Sequence, residues 1–512
     1  MISLVHAITV NGLDSTIVDI EVDINQGLPA FTIVGLPDQG VQESKERLRS
    51  ALKSSQAKIP PSRITVNLAP ANIKKSGPSF DLGIAIGILL DQGYIKNDEL
   101  VRDSVFLGEL SLDGSLRNIP SVLPATIGAK DKGFKRLFIP AGNTKEASII
   151  PDIEVVKIHN LIELIDILNK DCEYTPEPIL DLSSIERDDP TEGAFDFSHV
   201  IGQSFAKRAL EIAAAGGHNI LMEGPPGSGK TMLAKAFATI LPELTLEEAI
   251  EISKIYSISG LLSDEKPIIA SRPFRGVHHT ASSISIIGGG RNARPGEISL
   301  AHKGVLFLDE ILEFPKQVLE VLRQPLEDGE ITVTRVNASY NYPAKFSLVG
   351  AMNPCPCGYL TDPDKDCICS NNQVANYRGR LSGPLLDRVD MFIEVPKVPT
   401  EDFQKSKKQV GETSETIQQR VQQARNLQLE RFTGTSISSN AEMHTRDIKE
   451  FCKLEPEGEG ILAEAVKTMN LSARSYYRIL KLSRTIADLG SSITIQTAHI
   501  LEALSYRKKD ES

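Results

Sequence analysis

The chain has 512 residues, 41% of them hydrophobic and 24% charged, with a formal net charge of −11. That length predicts two to four domains, and the longest apolar stretch, LGIAIGILL at 82–90, is too short to cross a bilayer. No basic residue precedes Lys45, so the start lacks the charge of a secretory signal. A cytoplasmic protein with no membrane partner is expected. The acidic balance argues against a polycationic coat for nucleic acid but leaves room for a local basic channel.

Taken in chain order, residues 8–24 (ITVNGLDSTIVDIEVDI) read as two strands around an Asn-Gly turn, and 30–35 and 63–68 as further strands. Residues 41–55 and 80–93 have helical spacing, the second ending on a glycine. Residues 1–170 thus form an α/β or α+β domain. From 171 to 197 the chain turns acidic and proline-bearing, which reads as a linker. A second α/β domain spans 198–398, and 399–512 is nearly all helical pattern.

HNILMEGPPGSGKTMLAKAFA (218–238) is strand, glycine loop and helix, the context a phosphate loop requires. Gly224, Gly227 and Gly229 let backbone N–H groups close round phosphates, with Pro225, Pro226 and Ser228 completing the loop. The helix N-terminus adds its positive dipole end. Lys230 should reach the β and γ phosphates and Thr231 should ligate Mg²⁺, so ATP and Mg²⁺ are the expected cofactors. GVLFLDE (304–310) reads as a central parallel strand buried on both faces. Asp309 at its end would hold the Mg²⁺ shell, and Glu310 would orient or deprotonate the attacking water.

Four more motifs accompany this site: GVHHTASSISIIGGGRNARPGEISLAHKGVLFLDE, LRQPLEDGEITVTR, AMNPCPCG and LSGPLLDRVD. With them the chain resembles, essentially end to end, the YifB/ComM family of magnesium-chelatase-like AAA+ proteins. The resemblance implies an AAA+ P-loop α/β core with a C-terminal helical lid. It further implies a ring-forming ATPase, usually a homo-hexamer, which in the ComM branch drives DNA branch migration during natural transformation. By the same resemblance Asn353 is the sensor that hydrogen-bonds the lytic water. Arg388 is similar to the finger that reaches a neighbouring subunit's γ-phosphate, and Arg474 matches the second sensor in the lid. Arg474 also falls in the first turn of a predicted helix capped by Ser472, where a cation costs ~0.3–1 kcal/mol unless an anion is near. Arg388 is flanked by apolar residues, so partial burial against a partner, locally Asp387 or Asp390, is expected.

SGPSF at 76–80, with GELSLDGSLRNIPSVLPATIGA and FKRLFIP after it, resembles the Lon-type peptidase fold, which is ribosomal S5 domain 2-like. A serine nucleophile of that kind needs a lysine base within hydrogen-bond reach. The matching position is Leu123, or at best Pro124, and Lys130 and Lys132 lie ~10 Å or more further along the predicted helix. Ser79 is expected instead to cap a helix beginning at Phe80.

Two insertions read as protruding loops. Residues 282–297 are Gly-rich and carry Arg291 and Arg294; 328–346 reads as a hairpin around Asn-Ala-Ser, carrying Arg335, Tyr340, Tyr342 and Lys345. Such side chains suit a pore that grips phosphates and stacks bases of single-stranded or branched DNA, with ring-interface packing the alternative. Cys355, Cys357, Cys367 and Cys369 form two C-x-C pairs in one short loop, which suits one tetrahedral Zn²⁺. His278 and His279 are expected to diverge and are not read as ligands. The expected function is a hexameric ATP-driven helicase promoting branch migration. The alternatives are a chelatase- or MoxR-like ATPase that remodels a protein and an ATP-dependent peptidase, which the missing lysine disfavours.

Overall fold

The computed structural model describes residues 2–57, 61–180, 196–290, 293–335, 338–399, 411–469 and 471–507, with the backbone alone at 335 and 338. The chain divides into two compact units, Met1–Glu186 with Ala249–Ala270, and Arg187–Glu248 with Ser271–Ser512.

In the first unit β1 (Ser3–Asn11) and β2 (Asp14–Asn25) form an antiparallel hairpin closed at Asn11↔Asp14. The turn is therefore Gly12-Leu13, one residue beyond the Asn-Gly pair. Strands β3 (Ala30–Val34), β4 (Arg63–Ala69), β5 (Ser104–Phe106), β6 (Arg136–Pro140) and β7 (Glu154–Ile158) extend the sheet in the order β3-β4-β2-β1-β5-β6-β7. Alternation places Val18, Ile20 and Val22 of β2 in the core, with Val5 and Ala7 beside them. Helix α1 (Gln39–Ser54) starts where the Asp38 carboxylate accepts from the Val41 N–H. Helix α2 (Asp81–Asp91) is apolar all round, and accordingly buries every residue from Asp81 to Leu89.

The entry to α2 differs from the sequence expectation. Ser79 lies inside a short 3-10 turn, Pro78–Phe80, and no side chain caps the following helix. The buried Asp81 carboxylate instead accepts from the Ser44 hydroxyl, from Arg47 Nε at 2.7 Å and from the Leu110 N–H at 3.3 Å. The aspartate organises the turn that serine was expected to hold. Helix α3 (Val122–Asp131) carries Leu123 in its first turn, buried, with its N–H donated to Glu146 at 2.9 Å. Lys130 sits near the far end of that helix, paired with Asp152 at 3.1 Å.

The second unit is built on five parallel strands: β8 (Ile220–Glu223), β9 (Phe274–Val277), β10 (Val305–Leu308), β11 (Ser347–Met352) and β12 (Met391–Glu394). Their order is β9-β10-β11-β8-β12. All four residues of β10 are buried, as a strand covered on both faces requires. Helix α4 (Lys230–Thr239) follows β8, and α5 (Asn371–Arg378) leads towards β12. Helices α6 (Ser414–Arg431), α7 (Ala473–Leu489) and α8 (Thr497–Ser505) complete the unit. Val421, Leu480 and Tyr506 from this helical part share one hydrophobic core with Val305, Val349 and Ile393 of the sheet. Residues 249–270 fold with the first unit, an excursion that composition and periodicity did not signal.

Candidate functional site

Three neighbouring strands deliver the chemistry. β8, β10 and β11 run parallel, so the residues just past their C-terminal ends converge on one edge of the sheet, where open α/β sheets place their ligands. From β8 comes the loop Gly224, Pro225, Pro226, Gly227, Ser228, Gly229 and then Lys230 at the start of α4. A Cβ at Gly224 would lie 2.2 Å from the Val395 carbonyl oxygen, so only glycine fits there. Gly227 and Gly229 have φ of +78° and +94°. From β10 come Asp309 and Glu310, and from β11 comes Asn353.

These side chains are brought together. Thr231 donates its hydroxyl to Asp309 Oδ2 at 2.8 Å. Lys230 Nζ donates to the carbonyls of Gly224 at 2.6 Å and Pro225 at 2.9 Å, and lies 3.5 Å from Asn353 Oδ1. Burial lowers the pKa of Lys230, opposed by Asp309, Glu310 and Glu223. Glu310 has φ +50°, in the left-handed region, a strained setting of the kind found at functional sites.

Two partners of this cluster were not anticipated. The rings of His278 and His279 are 4.1 Å apart and do not diverge, and His279 Nδ1 lies 3.4 Å from Glu310. β9 runs beside β10 and ends at Val277, which brings the histidine pair towards the strand-end carboxylates. Glu223, immediately before the loop, pairs with Arg378 at 2.7 Å. Neither contact leaves a sequence signal, because each depends on which strands are neighbours.

Arg388 and Arg474 meet each other rather than the phosphate loop. Arg388 is buried, with 8% of its side chain exposed, and pairs with Glu327; Arg474 Nη2 reaches the same carboxylate at 2.9 Å. Burial lowers the Arg388 pKa, and the neighbouring Arg474, Arg323 and Arg478 add to the effect. Asp390, one of the two local partners expected for Arg388, is taken by Arg478, His218 and the Asn219 N–H. Ser472 does cap α7, accepting from the Ser475 N–H. The arginine pair faces a cavity of about 540 Å³ whose walls also carry Arg272, Lys303, Lys345 and Lys481.

The loop residues are distributed unevenly. The hairpin expected at 328–346 forms, with Glu330–Arg335 pairing antiparallel to Ala338–Pro343 as far as Arg335↔Ala338, so Ala338 and Ser339 of the expected Asn-Ala-Ser centre belong to the second strand. Tyr342 is 1% exposed and donates its hydroxyl to the Ala293 carbonyl at 2.9 Å. It presents no face for stacking a base. Lys345 sits at the hairpin base, 3.4 Å from Glu442, and faces the cavity. Tyr340 is half-buried against Tyr342, and Arg294 is exposed. Arg291 and the side chain of Arg335 lie outside the described residues.

The four cysteine sulfurs lie within 4.8 Å of one another. Cys355–Cys357 is 3.3 Å, and Cys367 is 3.6 Å from each of them. The Tyr359 backbone N–H pulls the Cys357 thiol below its usual range.

Known proteins align with both units. Residues 196–403 match the family described as magnesium chelatase, subunit ChlI; 20–143 match subunit ChlI of Mg-chelatase; and 411–507 match its C-terminal part. The chain is 43% identical to the competence protein ComM of Haemophilus influenzae, covering 99% of this chain and 97% of that protein. It is 40% identical to YifB of Escherichia coli over 99% and 97% of the two chains. A magnesium-chelatase 67 kDa subunit of Chlorobaculum parvum is 28% identical over 42% of this chain and 28% of its own. Full-length identity at this level, with the strand-end motifs in register on the sheet, makes this chain a member of the YifB/ComM family of magnesium-chelatase-like proteins.

Proposed function

We propose that this protein is a cytoplasmic, Mg²⁺-dependent AAA+ ATPase that assembles as a homo-hexameric ring and moves DNA strands, promoting branch migration. The observation that carries the reading is the convergence of Lys230, Thr231, Asp309, Glu310 and Asn353 at one sheet edge. It occurs in a chain similar over nearly its whole length to a protein named for competence.

The residues fit the cofactors. Gly227 and Gly229 turn the 224–229 loop at positive φ and Gly224 packs too closely on Val395 to carry a Cβ, a backbone suited to meeting phosphate with its N–H groups, and burial lowers the pKa of the Lys230 ammonium beside it. Thr231 and Asp309 would hold Mg²⁺, which when bound neutralises phosphate charge. Glu310 orients the attacking water and accepts its proton, and Asn353 fixes that water's position. Arg388 reaches a neighbouring subunit's γ-phosphate, and Arg474, which shares the Glu327 carboxylate with it, is the second sensor of the helical lid. Helices α6 to α8 act as the lid, and the first unit is a Lon-type fold without its lysine. Arg291, Arg294, Arg335 and Tyr340 supply the DNA contacts. The cysteine sulfurs suit Zn²⁺: a tetrahedron with Zn–S of about 2.3 Å needs S···S of about 3.8 Å, and three of the observed separations are 3.3, 3.6 and 3.6 Å.

The test is whether three- or four-stranded DNA stimulates ATP turnover and is resolved by it. ATP hydrolysis that no DNA structure stimulates would favour the second reading, remodelling of a protein client. That reading draws on the similarity to the chelatase subunit.

A further inference from the structure

The cysteine loop is tied to the phosphate loop at both of its ends. On the entry side, the Met352 carbonyl accepts from the Gly224 N–H at 3.2 Å, and Asn353 is 3.5 Å from Lys230 Nζ. Cys355 follows two residues later, fully buried, and its carbonyl accepts from the Gly358 N–H at 3.0 Å. That tight turn leaves Gly358 at φ +84°, where a Cβ would come within 2.8 Å of both Cγ and Cδ of Pro226 in the phosphate loop. On the exit side, Cys369 runs straight into Ser370, which caps α5 through a reciprocal capping box with Gln373. The last residue of that helix, Arg378, pairs with Glu223, the residue before Gly224. A third tie holds the middle of the loop: Asp364 pairs with Lys397 at 2.5 Å, just past β12.

The entry and exit of this segment therefore grip Pro226 and Glu223 on the two sides of Gly224 and Pro225. What fixes entry and exit relative to each other is the four-sulfur cluster. We infer that metal held by Cys355, Cys357, Cys367 and Cys369 clamps the phosphate loop, so that nucleotide affinity depends on occupancy of the cysteine site. This deepens the zinc reading above and rests on it. A cross-link of this kind preorganises the backbone N–H groups that must meet phosphate, and its loss returns that ordering cost to the binding step. The ion itself touches no substrate and takes part in no chemical step.

The experiment uses the full-length protein with two readouts, zinc per chain by elemental analysis and the Kd of a fluorescent ATP analogue. Wild type is expected to carry one zinc and to bind the analogue. Cys367→Ser with Cys369→Ser removes the pair remote from Pro226; it should lose zinc and weaken analogue binding by roughly 10-fold, the scale of a coupling between two sites. Gly358→Ala guards against a folding defect in that variant. It should keep its zinc while its Cβ displaces Pro226, weakening binding about 5-fold or more. Wild type without zinc overturns the metal reading. Zinc-free double variant binding the analogue like wild type, or zinc-loaded Gly358→Ala doing so, overturns the clamp. Wild type that carries zinc and ignores the analogue would instead sink the ATPase proposal.

Discussion

Glu327→Gln is isosteric and removes the one carboxylate that Arg388 and Arg474 share. The two halves of this contact should differ in weight. Arg474 is 56% exposed, so its half contributes at most about 1 kcal/mol in a solvent-screened setting. Arg388 is 8% exposed, its Nε has no hydrogen-bond partner among the described residues, and Arg474, Arg323 and Arg478 all repel it. Stripping the partner from a fully buried pair costs ~3–5 kcal/mol. Glu327 itself is half exposed, so water can enter and the figure falls to about 1–3 kcal/mol. A double-mutant cycle with Arg388→Gln, read by urea denaturation at low protein concentration, isolates the pair. A coupling of about 1–2 kcal/mol is expected, because the second substitution removes the uncompensated charge that the first creates. Raising the salt to ~1 M should leave most of that coupling in place, since a buried pair is weakly screened. Additivity within ~0.5 kcal/mol would show that Glu327 does not hold Arg388, and the shared-carboxylate account of the two arginines would fall.

Glu310→Gln should bind the ATP analogue at wild-type affinity and hydrolyse ATP at least ~10²-fold more slowly; unchanged turnover removes Glu310 from the chemistry. An Arg388→Ala protein mixed with a Lys230→Ala protein should regain ATPase activity that neither has alone, and no recovery at any ratio despite co-assembly would place Arg388 within its own subunit's site. Tyr342→Phe should lower stability by about 1 kcal/mol through the lost bond to Ala293 and leave DNA-stimulated turnover intact, whereas an altered salt slope of DNA binding would return Tyr342 to the DNA surface. Asp196 is held at about 2, since hydrogen bonds from Ser198 and Ser414 outweigh the burial that would raise it. Its contribution is therefore present above pH ~4 and lost as pH falls from ~4 to ~2, so Asp196→Asn should flatten the fall in stability in that window as followed by circular dichroism.

What the sequence disclosed and what it concealed divide along a physical line. Strands, turns and the phosphate loop are written in short windows: the buried run VLFL, Gly227 and Gly229 at positive φ, and the cap at Ser472 each depend on residues a few positions away. Ser79 shows the limit of that logic, because the 3-10 turn at Pro78–Phe80 owes its shape to Asp81 reaching Ser44 and Arg47, some 34 to 37 residues distant. Parallel strand order makes such distances general. β8 and β11 are adjacent although 123 residues separate Lys230 from Asn353, and the pairing of β9 with β10 sets His279 against Glu310. Glu327 lies 147 residues from Arg474, and nothing within its own window marks it as the partner of two arginines. Tyr342 failed as a stacking candidate for a related reason. Alternation along a hairpin says which residues share a face but not which face is covered, and here the Ala293 segment covers the face that holds Tyr342. The cysteines are the instructive middle case. Their spacing already groups four sulfurs in the sequence, whereas the approach of Gly358 to Pro226 of the phosphate loop leaves no mark there. Only the fold shows that Gly358, beside these cysteines, lies so close to Pro226 that a Cβ there would come within 2.8 Å of its ring.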